Sequence, residues 1–573
     1  MSLSSRVNEK ANLIWAIADK LTGVYKPHEY GEVILPLTVI RRFDCILADT
    51  KQAVLDTYEE YKNNVAMLEP ILAEAAGHDF YNTSKYDFEK LLDDPDNIES
   101  NFRDYLNGFS QNVQDIILKF KFDNHITTMA SKGILYMVLK EFTTEKANLH
   151  PDYVSNLEMG YIFEEIIRRF SEAHNEDAGQ HYTPREVIQL MVNILFHDDT
   201  EALSGESVVR TVYDCACGTG GMLSVAEEYL YELNKSARII PFGQEVNDQT
   251  FAICKADMLI KGHTADYVKN NNTLSDDQFQ GQTFDYIISN PPFGREWKNE
   301  EAVVKEEAKL GFDGRFGPGL PSTADGQMLF LENAIKKMNP DGSRIAIIHN
   351  GSPLFTGDAG SGPSEIRRYI IENDLLEAII ALPNDIFYNT GIATYIWVLS
   401  NKKSGTTREG RVQLINANGL YEKRRKSLGN KRNDIPESAI AEITRVYGEF
   451  RESEISKIFD NKDFGYTKIT IERPQLDADG EPVLKKGKPQ ADSKRRDTEI
   501  VPLKEDIETY FEREVLPYAP DAWIDRKKDK VGYEIPFTRY FYEYVAPRPA
   551  DEIMAEIQEL ELDLEGALAE VFD

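Results

Sequence analysis

Apolar residues in the first part of the chain recur at three- and four-residue intervals, beginning with Leu13, Ile14, Ile17 and Leu21. The same spacing continues through the apolar residues between Ile134 and Val138 and ends near Thr144. This interval is that of one face of an α-helix. The pattern predicts a helical N-terminal domain over residues 1–149.

After Leu149 the pattern changes to short apolar runs that alternate with helical segments. The runs are Val208–Val212, Ile239–Phe242, Tyr286–Ser289, Ile345–Ile348, Leu376–Leu382 and Ala393–Leu399. Short continuous apolar runs are typical of parallel strands buried on both faces. Their alternation with helices predicts an α/β domain with a doubly wound sheet over residues 150–472.

The C-terminal part has two different patterns. The segment from Arg473 to Glu499 is rich in Asp, Lys, Gly and Pro, which predicts a flexible linker or loop over residues 473–500. In the remaining region, 501–573, the stretch from Pro549 to Asp573 has apolar residues at helical spacing with an acidic opposite face. This predicts a terminal amphipathic helix that packs either on a partner or on the chain's own core.

Composition narrows the function classes. The 573 residues include 65 Lys or Arg and 97 Asp or Glu, a formal net charge of -32. Phosphate binding needs clustered basic residues, so such a chain does not hold a nucleic acid with its whole surface. Any DNA contact must be local or belong to another chain.

Cysteine usage and hydropathy suggest a cytoplasmic protein. No apolar run approaches the roughly 18 residues that a membrane helix needs. The four cysteines (Cys45, Cys215, Cys217 and Cys254) are too few for a disulfide framework in a chain of this length. Neither the cysteines nor the nine histidines have zinc-site spacing, so we expect no metal site.

A glycine-rich turn follows the first predicted strand. Asp214 ends the strand, Gly218-Thr219-Gly220-Gly221 forms the turn, and a helical run opens at Met222. Glycines let the backbone approach a ligand, and the helix N-terminus offers free amide donors. The turn suits a nucleotide, although a tight strand-to-helix connection without a ligand has the same form.

Glu245 follows the next apolar run and is placed to accept hydrogen bonds from ribose hydroxyls. Together with the glycine turn it predicts a cofactor that carries adenosine. No segment has the spacing of a phosphate-binding P-loop, which disfavours a motor ATPase.

The tetrad Asn290-Pro291-Pro292-Phe293 follows the strand Tyr286–Ser289 and therefore lies at the carboxyl edge of the sheet. The prolines restrict the backbone, so that the Asn290 amide and nearby carbonyls are held as acceptors. The aromatic ring of Phe293 offers a face on which a planar base could stack. We interpret the tetrad as an amine-recognition loop rather than a simple turn.

These motifs, in this order, resemble the gamma-class DNA adenine N6-methyltransferases. The resemblance is closest to the modification (M) subunits of type I restriction-modification systems and covers nearly the whole chain. It includes the segments Asn12–Trp15, Tyr25–Tyr30, Gln180–Arg185 and Gly532–Arg539 in addition to the turn and the tetrad. It implies the fold of methyltransferases that use S-adenosylmethionine for residues 150–472.

The resemblance also implies a site for S-adenosylmethionine. Its residues would be Gln180, His181, Tyr182, Thr183, Pro184, Arg185, Gly218, Thr219, Gly220 and Gly221, with Asp214 near the methionine end and Glu245 on the ribose. Two positions depart from the family pattern. Asn272 falls where an acidic residue often contacts the adenine, and Cys215 replaces the usual proline after the aspartate.

The tetrad suggests a mechanism for transferring a methyl group to adenine N6. If the Asn290 side-chain oxygen and the Pro291 carbonyl accept the N6 hydrogens, the nitrogen lone pair turns toward the methyl donor. Correct placement supplies most of the acceleration. The adenine must first be extruded from the duplex, and Phe293 is the residue expected to stack on it.

Recognition of a DNA sequence requires more than these residues. One basic cluster, Lys423, Arg424, Arg425, Lys426, Lys431 and Arg432, contains six positive charges and could hold phosphates, or it could be a solvated loop. The resemblance implies a specificity (S) subunit that binds DNA and two M subunits, and a restriction (R) subunit in the full complex.

Two alternatives stay open at the level of sequence. A glutamine N5-methyltransferase that modifies a protein could use the same tetrad, although the chain length disfavours it. The acidity also suggests a catalytically silent scaffold or DNA mimic, which the intact motifs disfavour.

Overall fold

The computed structural model describes residues 11–12, 14, 16–63, 65–174, 183–199, 203–205, 208–388, 390–485, 487–542, 549–558 and 560–561. Residues 1–535 form one compact unit, and residues 536–573 form a second. Within the described ranges, no helix is both long and apolar enough to cross a membrane.

The N-terminal part is built from helices. They are α1 (Tyr30–Leu47), α2 (Lys51–Tyr61), α3 (Val65–Ala76), α4 (Ile98–Asn107), α5 (Gln111–Lys119), α6 (Asp123–Ser131), α7 (Leu135–Phe142) and α8 (Asn156–His174). Phe43, Phe80, Phe88 and Phe102 are fully buried among them. The buried guanidinium of Arg42 donates to the Val154 carbonyl at 2.8 Å, which joins α1 to the segment before α8.

A nine-stranded sheet forms the centre of the following region. Its strands are β1 (Val209–Asp214), β2 (Arg238–Gln244), β3 (Val268–Lys269), β4 (Tyr286–Ser289), β5 (Arg344–Asn350), β6 (Leu376–Ala381), β7 (Thr394–Ser400), β8 (Arg411–Asn416) and β11 (Ser456–Asp460). They lie in the order β3-β2-β1-β4-β5-β7-β6-β8-β11. Strands β7 and β11 run antiparallel to their neighbours, and the other strands are parallel.

Helices alternate with these strands along the chain. They are α9 (Arg185–Phe196), α10 (Gly221–Leu233), α11 (Asp248–Ile260), α12 (Glu301–Ala308), α13 (Gln327–Lys336), α14 (Ser352–Phe355), α15 (Gly362–Glu372) and α16 (Glu437–Glu449). Strand β1 has β2 as its neighbour on one side and β4 on the other, so the order of the strands reverses at β1. Ligands of open α/β sheets bind at the carboxyl ends of strands next to such a switch point.

A small hairpin follows β8 along the chain and is not part of the nine-stranded sheet. Strands β9 (Glu422–Leu428) and β10 (Lys431–Asp434) form a separate two-stranded antiparallel hairpin. We call this element the basic hairpin because it contains the six basic residues of the sequence cluster.

The region that follows is a second small sheet. Strand β12 (Gly465–Glu472) pairs with β15 (Asp497–Pro502), β16 (Trp523–Ile524) and β17 (Lys530–Tyr533). The predicted linker segment connects β12 to β15, which are neighbours in one sheet, and it carries the exposed hairpin of β13 (Leu484–Lys485) and β14 (Lys488–Pro489). It is therefore a solvated loop of this sheet. Helix α17 (Ile507–Glu514) completes the region.

The second unit contains short helical segments. Helix α18 spans Phe537–Tyr540, and residues 550–558 and 560–561 are also helical. Four apolar side chains of the last segment are exposed: Ile553, Met554, Ile557 and Leu560.

Candidate active site

A cleft opens where the carboxyl ends of β1, β2 and β4 meet. Its walls include nine of the residues predicted for the site: Thr183, Asp214, Gly218, Thr219, Gly221, Glu245, Asn272, Asn290 and Pro292. The sheet topology brings most of them together, because they lie at or just after the ends of β1, β2, β3 and β4, while Thr183 precedes α9.

The glycine turn forms the floor of the cleft. Gly218 and Gly220 have φ values of 54° and 83°, a conformation in which a side chain is strained. Gly220 precedes the first residue of α10, and a Cβ atom there would lie 2.8 Å from the Cys254 sulfur. Gly220 is therefore needed for packing against α11, while Gly218 and Gly221 face the cleft.

Asp214 is buried at the end of β1, where it accepts hydrogen bonds from the Ser289 hydroxyl at 2.7 Å and the Ala216 backbone amide at 3.0 Å. Burial raises the pKa of its carboxyl to about 7, because the charged form loses solvation. A ligand with positive charge would favour the ionised form.

Glu245 closes the adjacent side of the cleft. One carboxyl oxygen accepts the Gly218 amide at 2.8 Å, and the other accepts the Asn247 amide at 2.8 Å. Burial raises the pKa of this carboxyl as well. These two bonds hold Glu245 across the glycine turn, at the place predicted for a ribose.

Asn272 lines the cleft, and hydrogen bonds hold the segment in which it lies. Its amide donates to the Glu300 carboxylate at 2.7 Å, and its oxygen accepts the Leu274 amide at 2.9 Å. Arg315, which sequence reasoning missed, donates to the backbone carbonyls of Thr273 and Leu274 at 2.6 and 3.0 Å. Nothing in the local sequence around Arg315 indicates that its side chain binds the backbone of a distant segment.

Asn290 is the residue of the tetrad with the clearest chemistry. Its side-chain nitrogen donates to the Thr183 hydroxyl at 2.7 Å. Its side-chain oxygen is buried and has no hydrogen-bond partner among the described residues. The cleft therefore contains one unsatisfied acceptor at the end of β4.

Other predicted residues lie elsewhere. Gln180, His181 and Tyr182 are outside the described residues. Pro184 caps α9, and Pro291 is buried beside Asn290 without lining the cleft. Arg185 lies behind the glycine turn, where it pairs with the Glu164 carboxylate at 2.9 Å and packs on the Tyr161 ring at 4.2 Å.

Phe293 is not available for stacking in this conformation. Its side chain is buried in the core beside the sheet, and its ring meets Phe387 edge to face at 6.1 Å. Among the described residues, three aromatic ones line the cleft: Trp297, Phe330 and Tyr388. Tyr388 lies in the loop after β6, and an aromatic residue shortly after a predicted strand could have been found from the sequence.

The basic cluster also differs from the prediction at one position. Lys431 is only 1% exposed, so the prediction that it binds phosphate is wrong. Its ammonium pairs with Glu186 and donates to backbone carbonyls of the protein. Arg424 pairs with Asp434 at 2.6 Å and is half-buried.

Comparison with known proteins identifies the family. A model described as N-6 DNA Methylase matches residues 155–469, more than half of the chain, and one described as HsdM N-terminal domain matches residues 10–142. The type I restriction enzyme MjaIX methylase subunit of Methanocaldococcus jannaschii is 25% identical over 472 residues, which cover 78% of each protein. The HindI methylase subunit of Haemophilus influenzae is 30% identical over 262 residues, 45% of this chain and 54% of that protein.

A solved structure is similar as well. The type I restriction-modification system methyltransferase subunit from Streptococcus thermophilus superposes with a TM-score of 0.63 at 20% identity, covering 80% of this chain and 97% of that chain. This likeness confirms the predicted fold class, and the family matches confirm the predicted resemblance. The chain belongs to the N-6 DNA methylase family and, within it, to the methylase subunits of type I restriction-modification systems.

Proposed function

We propose that the chain transfers the methyl group of S-adenosylmethionine to N6 of adenine in DNA, and that this occurs in the cleft at the ends of β1, β2 and β4. The observation that carries the proposal is the buried side-chain oxygen of Asn290, which has no hydrogen-bond partner in the part of the chain that the structure describes. An unpaired buried acceptor costs about 1–3 kcal/mol, so its retention indicates a ligand that donates a hydrogen bond there. The exocyclic amine of adenine is such a donor.

The walls of the cleft fit the cofactor. Gly218 and Gly221 leave room for a ligand beside the backbone, and the Glu245 carboxylate suits ribose hydroxyls. Asp214 supplies negative charge next to this surface, which suits the cationic methionine end. When bound, S-adenosylmethionine supplies a methyl group that its sulfonium already activates.

The chain's own residues therefore need to orient the amine and accept its hydrogens. The Asn290 nitrogen donates to the Thr183 hydroxyl, and its oxygen is left free to accept, since it has no partner among the described residues. When that oxygen accepts one N6 hydrogen, it favours the pyramidal nitrogen of the transition state. A second acceptor role for the Pro291 carbonyl stays a prediction.

We assign the capture of the extruded base to Tyr388 and Pro292, which line the cleft beside Asn290. Stacking on an aromatic ring is worth about 1–3 kcal/mol per base, comparable to the cost of extrusion. Phe293 supports this wall from the core through Phe387, the residue before Tyr388.

As a type I methylase subunit, the chain acts with a specificity subunit that selects the DNA site and with a restriction subunit in the full complex. We propose two copies of the chain for each specificity subunit and, because the substrate is DNA, a cytoplasmic location. The family matches do not favour a protein glutamine methyltransferase or a silent scaffold.

The decisive experiment uses the chain assembled with its specificity subunit, labelled S-adenosylmethionine and duplex DNA. Wild type should place the label on adenine N6. We expect Asn290→Ala to lower kcat by about 10²-fold or more, the scale for removing one transition-state hydrogen bond, while the Kd for the cofactor stays the same. Arg425→Ala, on the exposed hairpin, is a control for cofactor binding. Label in protein alone, or full turnover by Asn290→Ala, would contradict the proposal.

A further inference from the structure

The basic hairpin (β9, β10) lies directly beside the base-binding wall of the cleft. The backbone amide of Asn430, in its turn, donates to the Tyr388 carbonyl at 2.8 Å. The amide of Arg432 donates to the Asp385 carbonyl at 2.8 Å, and the Asn433 side chain donates to the Asn384 carbonyl at 2.9 Å. The hairpin is thus bonded along its edge to the loop that carries Tyr388.

Lys431 fixes the hairpin in this position. Its buried ammonium contacts Glu186 on the first turn of α9, and it donates to the Ile386 carbonyl at 3.1 Å. It also lies 5.7 Å from the centre of the Tyr388 ring. One side chain therefore joins the hairpin, the Tyr388 loop and the helix that follows Thr183.

Apart from Lys431 and the paired Arg424, the cations of the hairpin are exposed to solvent. Lys423, Arg425, Lys426 and Arg432 are exposed, and none of them forms an ion pair with another described residue. The chain as a whole has a net charge of -32, and many of its surface cations are paired with carboxylates. A local group of unpaired cations in such a chain is suited to an anionic partner.

We propose that these four exposed cations bind the sugar-phosphate backbone of the duplex next to the extruded adenine. The inference rests on the proposed function: if an extruded adenine binds beside Tyr388, the DNA from which it comes must lie near the hairpin. Binding to phosphates positions a protein without reading the sequence, so this interaction should be independent of the target site. It leaves the choice of sequence to the specificity subunit.

The test compares two variants that change the net charge equally, each assembled with the specificity subunit. The first is K423Q/R425Q/K426Q/R432Q. The control is K235Q/K485Q/K488Q/K494Q, whose lysines are exposed, outside the cleft and without an ion pair to the described residues. The measurements are KM for duplex DNA at several salt concentrations, kcat at saturating DNA, and the Kd for S-adenosylmethionine.

We expect the hairpin variant to raise KM for DNA at least about tenfold at moderate salt. The slope of log KM against log salt should fall by about 0.9 for each phosphate that the hairpin no longer neutralises. The affinity for a duplex without the target site should weaken by the same factor, and kcat and cofactor Kd should match wild type. Arg425→Gln alone should reduce the slope by about 0.9.

Three results would overturn the inference. One is a KM and salt slope equal to those of the control variant. The second is a weakening of affinity that is confined to the target sequence. The third is failure of the hairpin variant to assemble with the specificity subunit while it still binds the cofactor, because the hairpin would then contact protein. If the wild-type complex does not methylate adenine, the proposed function fails, and direct DNA binding by the same variants still tests the hairpin.

Discussion

A carboxamide has a donor end and an acceptor end of nearly equal shape, so the role of Asn290 depends on which end faces the cleft. In the structure the Asn290 nitrogen donates to the Thr183 hydroxyl at 2.7 Å. The oxygen is buried and finds no hydrogen-bond partner within the described ranges. The free protein therefore carries the desolvation cost of an unpaired oxygen, and an amine that donates a hydrogen bond to this oxygen would remove that cost. The site is in this way prepared for a ligand with a hydrogen-bond donor at this position.

Asp214 should make cofactor binding depend on pH. Burial raises the pKa of its carboxyl to about 7 in the free protein. A cationic cofactor favours the ionised carboxylate, so binding releases a proton and affinity rises with pH until the free carboxyl is ionised. We expect the Kd for S-adenosylmethionine to be about tenfold higher at pH 6 than at pH 8.

Calorimetry in buffers with different ionisation enthalpies would measure both the Kd and the released proton. Asp214→Asn is the matched control, because an amide at this position cannot titrate and should give a flatter pH profile. Glu245, whose pKa burial also raises, contributes in the same direction. A wild-type Kd that does not change between pH 6 and 8 would contradict the role of Asp214.

Lys431 should matter for stability rather than for DNA affinity through direct contact. Lys431→Met leaves the Glu186 carboxylate and the Ile386 carbonyl without their buried partner. Breaking a buried pair in this way costs about 3–5 kcal/mol, so the apparent Tm should fall by several degrees. Lys426→Met, an exposed neighbour, should leave the Tm unchanged. Equal Tm values for the two variants would rule out the anchoring role.

At the residue scale, position along the chain predicted the location of some side chains and not of others. Asp214 ends β1, and Glu245 and Asn290 directly follow β2 and β4, so local pattern was sufficient to place them at the cleft, while their roles stay predictions. Phe293 belongs to the Asn290 tetrad and Lys431 to the basic cluster, but the side chains of both are buried. The direction of a side chain in a loop depends on tertiary packing, which one sequence does not display.

At the scale of elements, the six apolar runs predicted from the sequence correspond to strands β1, β2, β4, β5, β6 and β7. All six were interpreted as parallel strands, and for the run Ala393–Leu399 this was wrong, because an apolar run has the same pattern in either direction. β7 lies antiparallel between β5 and β6. The small sheet around β12 was missed, since its strands β15, β16 and β17 are separated by polar loops and are partly exposed.

The terminal helix allows a prediction about assembly. Its exposed apolar residues include Ile553, Ile557 and Leu560, which are 42%, 44% and 67% exposed. Because water disfavours such a stripe, we expect it to bind the specificity subunit. I553E/I557E/L560E should abolish co-purification with that subunit and leave the cofactor Kd unchanged. D551N/E552Q on the same helix is the control, and an assembled, active triple variant would contradict the prediction.

At the scale of the whole molecule, the net charge indicates that DNA binding depends on the specificity subunit as well as on this chain. The chain carries a net charge of -32, so general electrostatics opposes its approach to DNA. In the proposed function the cleft binds one base, and we expect the four exposed cations of the basic hairpin to hold the adjacent backbone. Affinity for DNA should therefore depend on the assembled complex, and the isolated chain should bind duplex DNA weakly.

The recessed position of Asn290 implies that the target adenine leaves the duplex before it reacts. Asn290 and Tyr388 line a cleft at the edge of the sheet, whereas adenine N6 in a duplex is inside the base stack. Extrusion costs a few kcal/mol and costs less for a mismatched base. A mismatch opposite the target adenine should therefore lower KM for DNA by about tenfold, which corresponds to about 1.4 kcal/mol.

Methyl transfer by the assembled complex to paired and mismatched duplexes measures this effect. A mismatch at a neighbouring position is the matched control, because it lowers the local stability of the duplex but leaves the target adenine paired. Asn290→Ala should bind the mismatched duplex more tightly than the paired one by the same factor as wild type, since the extrusion cost belongs to the DNA and not to the Asn290 oxygen. Equal KM values for paired and mismatched targets would mean that the base reaches Asn290 without leaving the stack, which the recessed cleft does not permit.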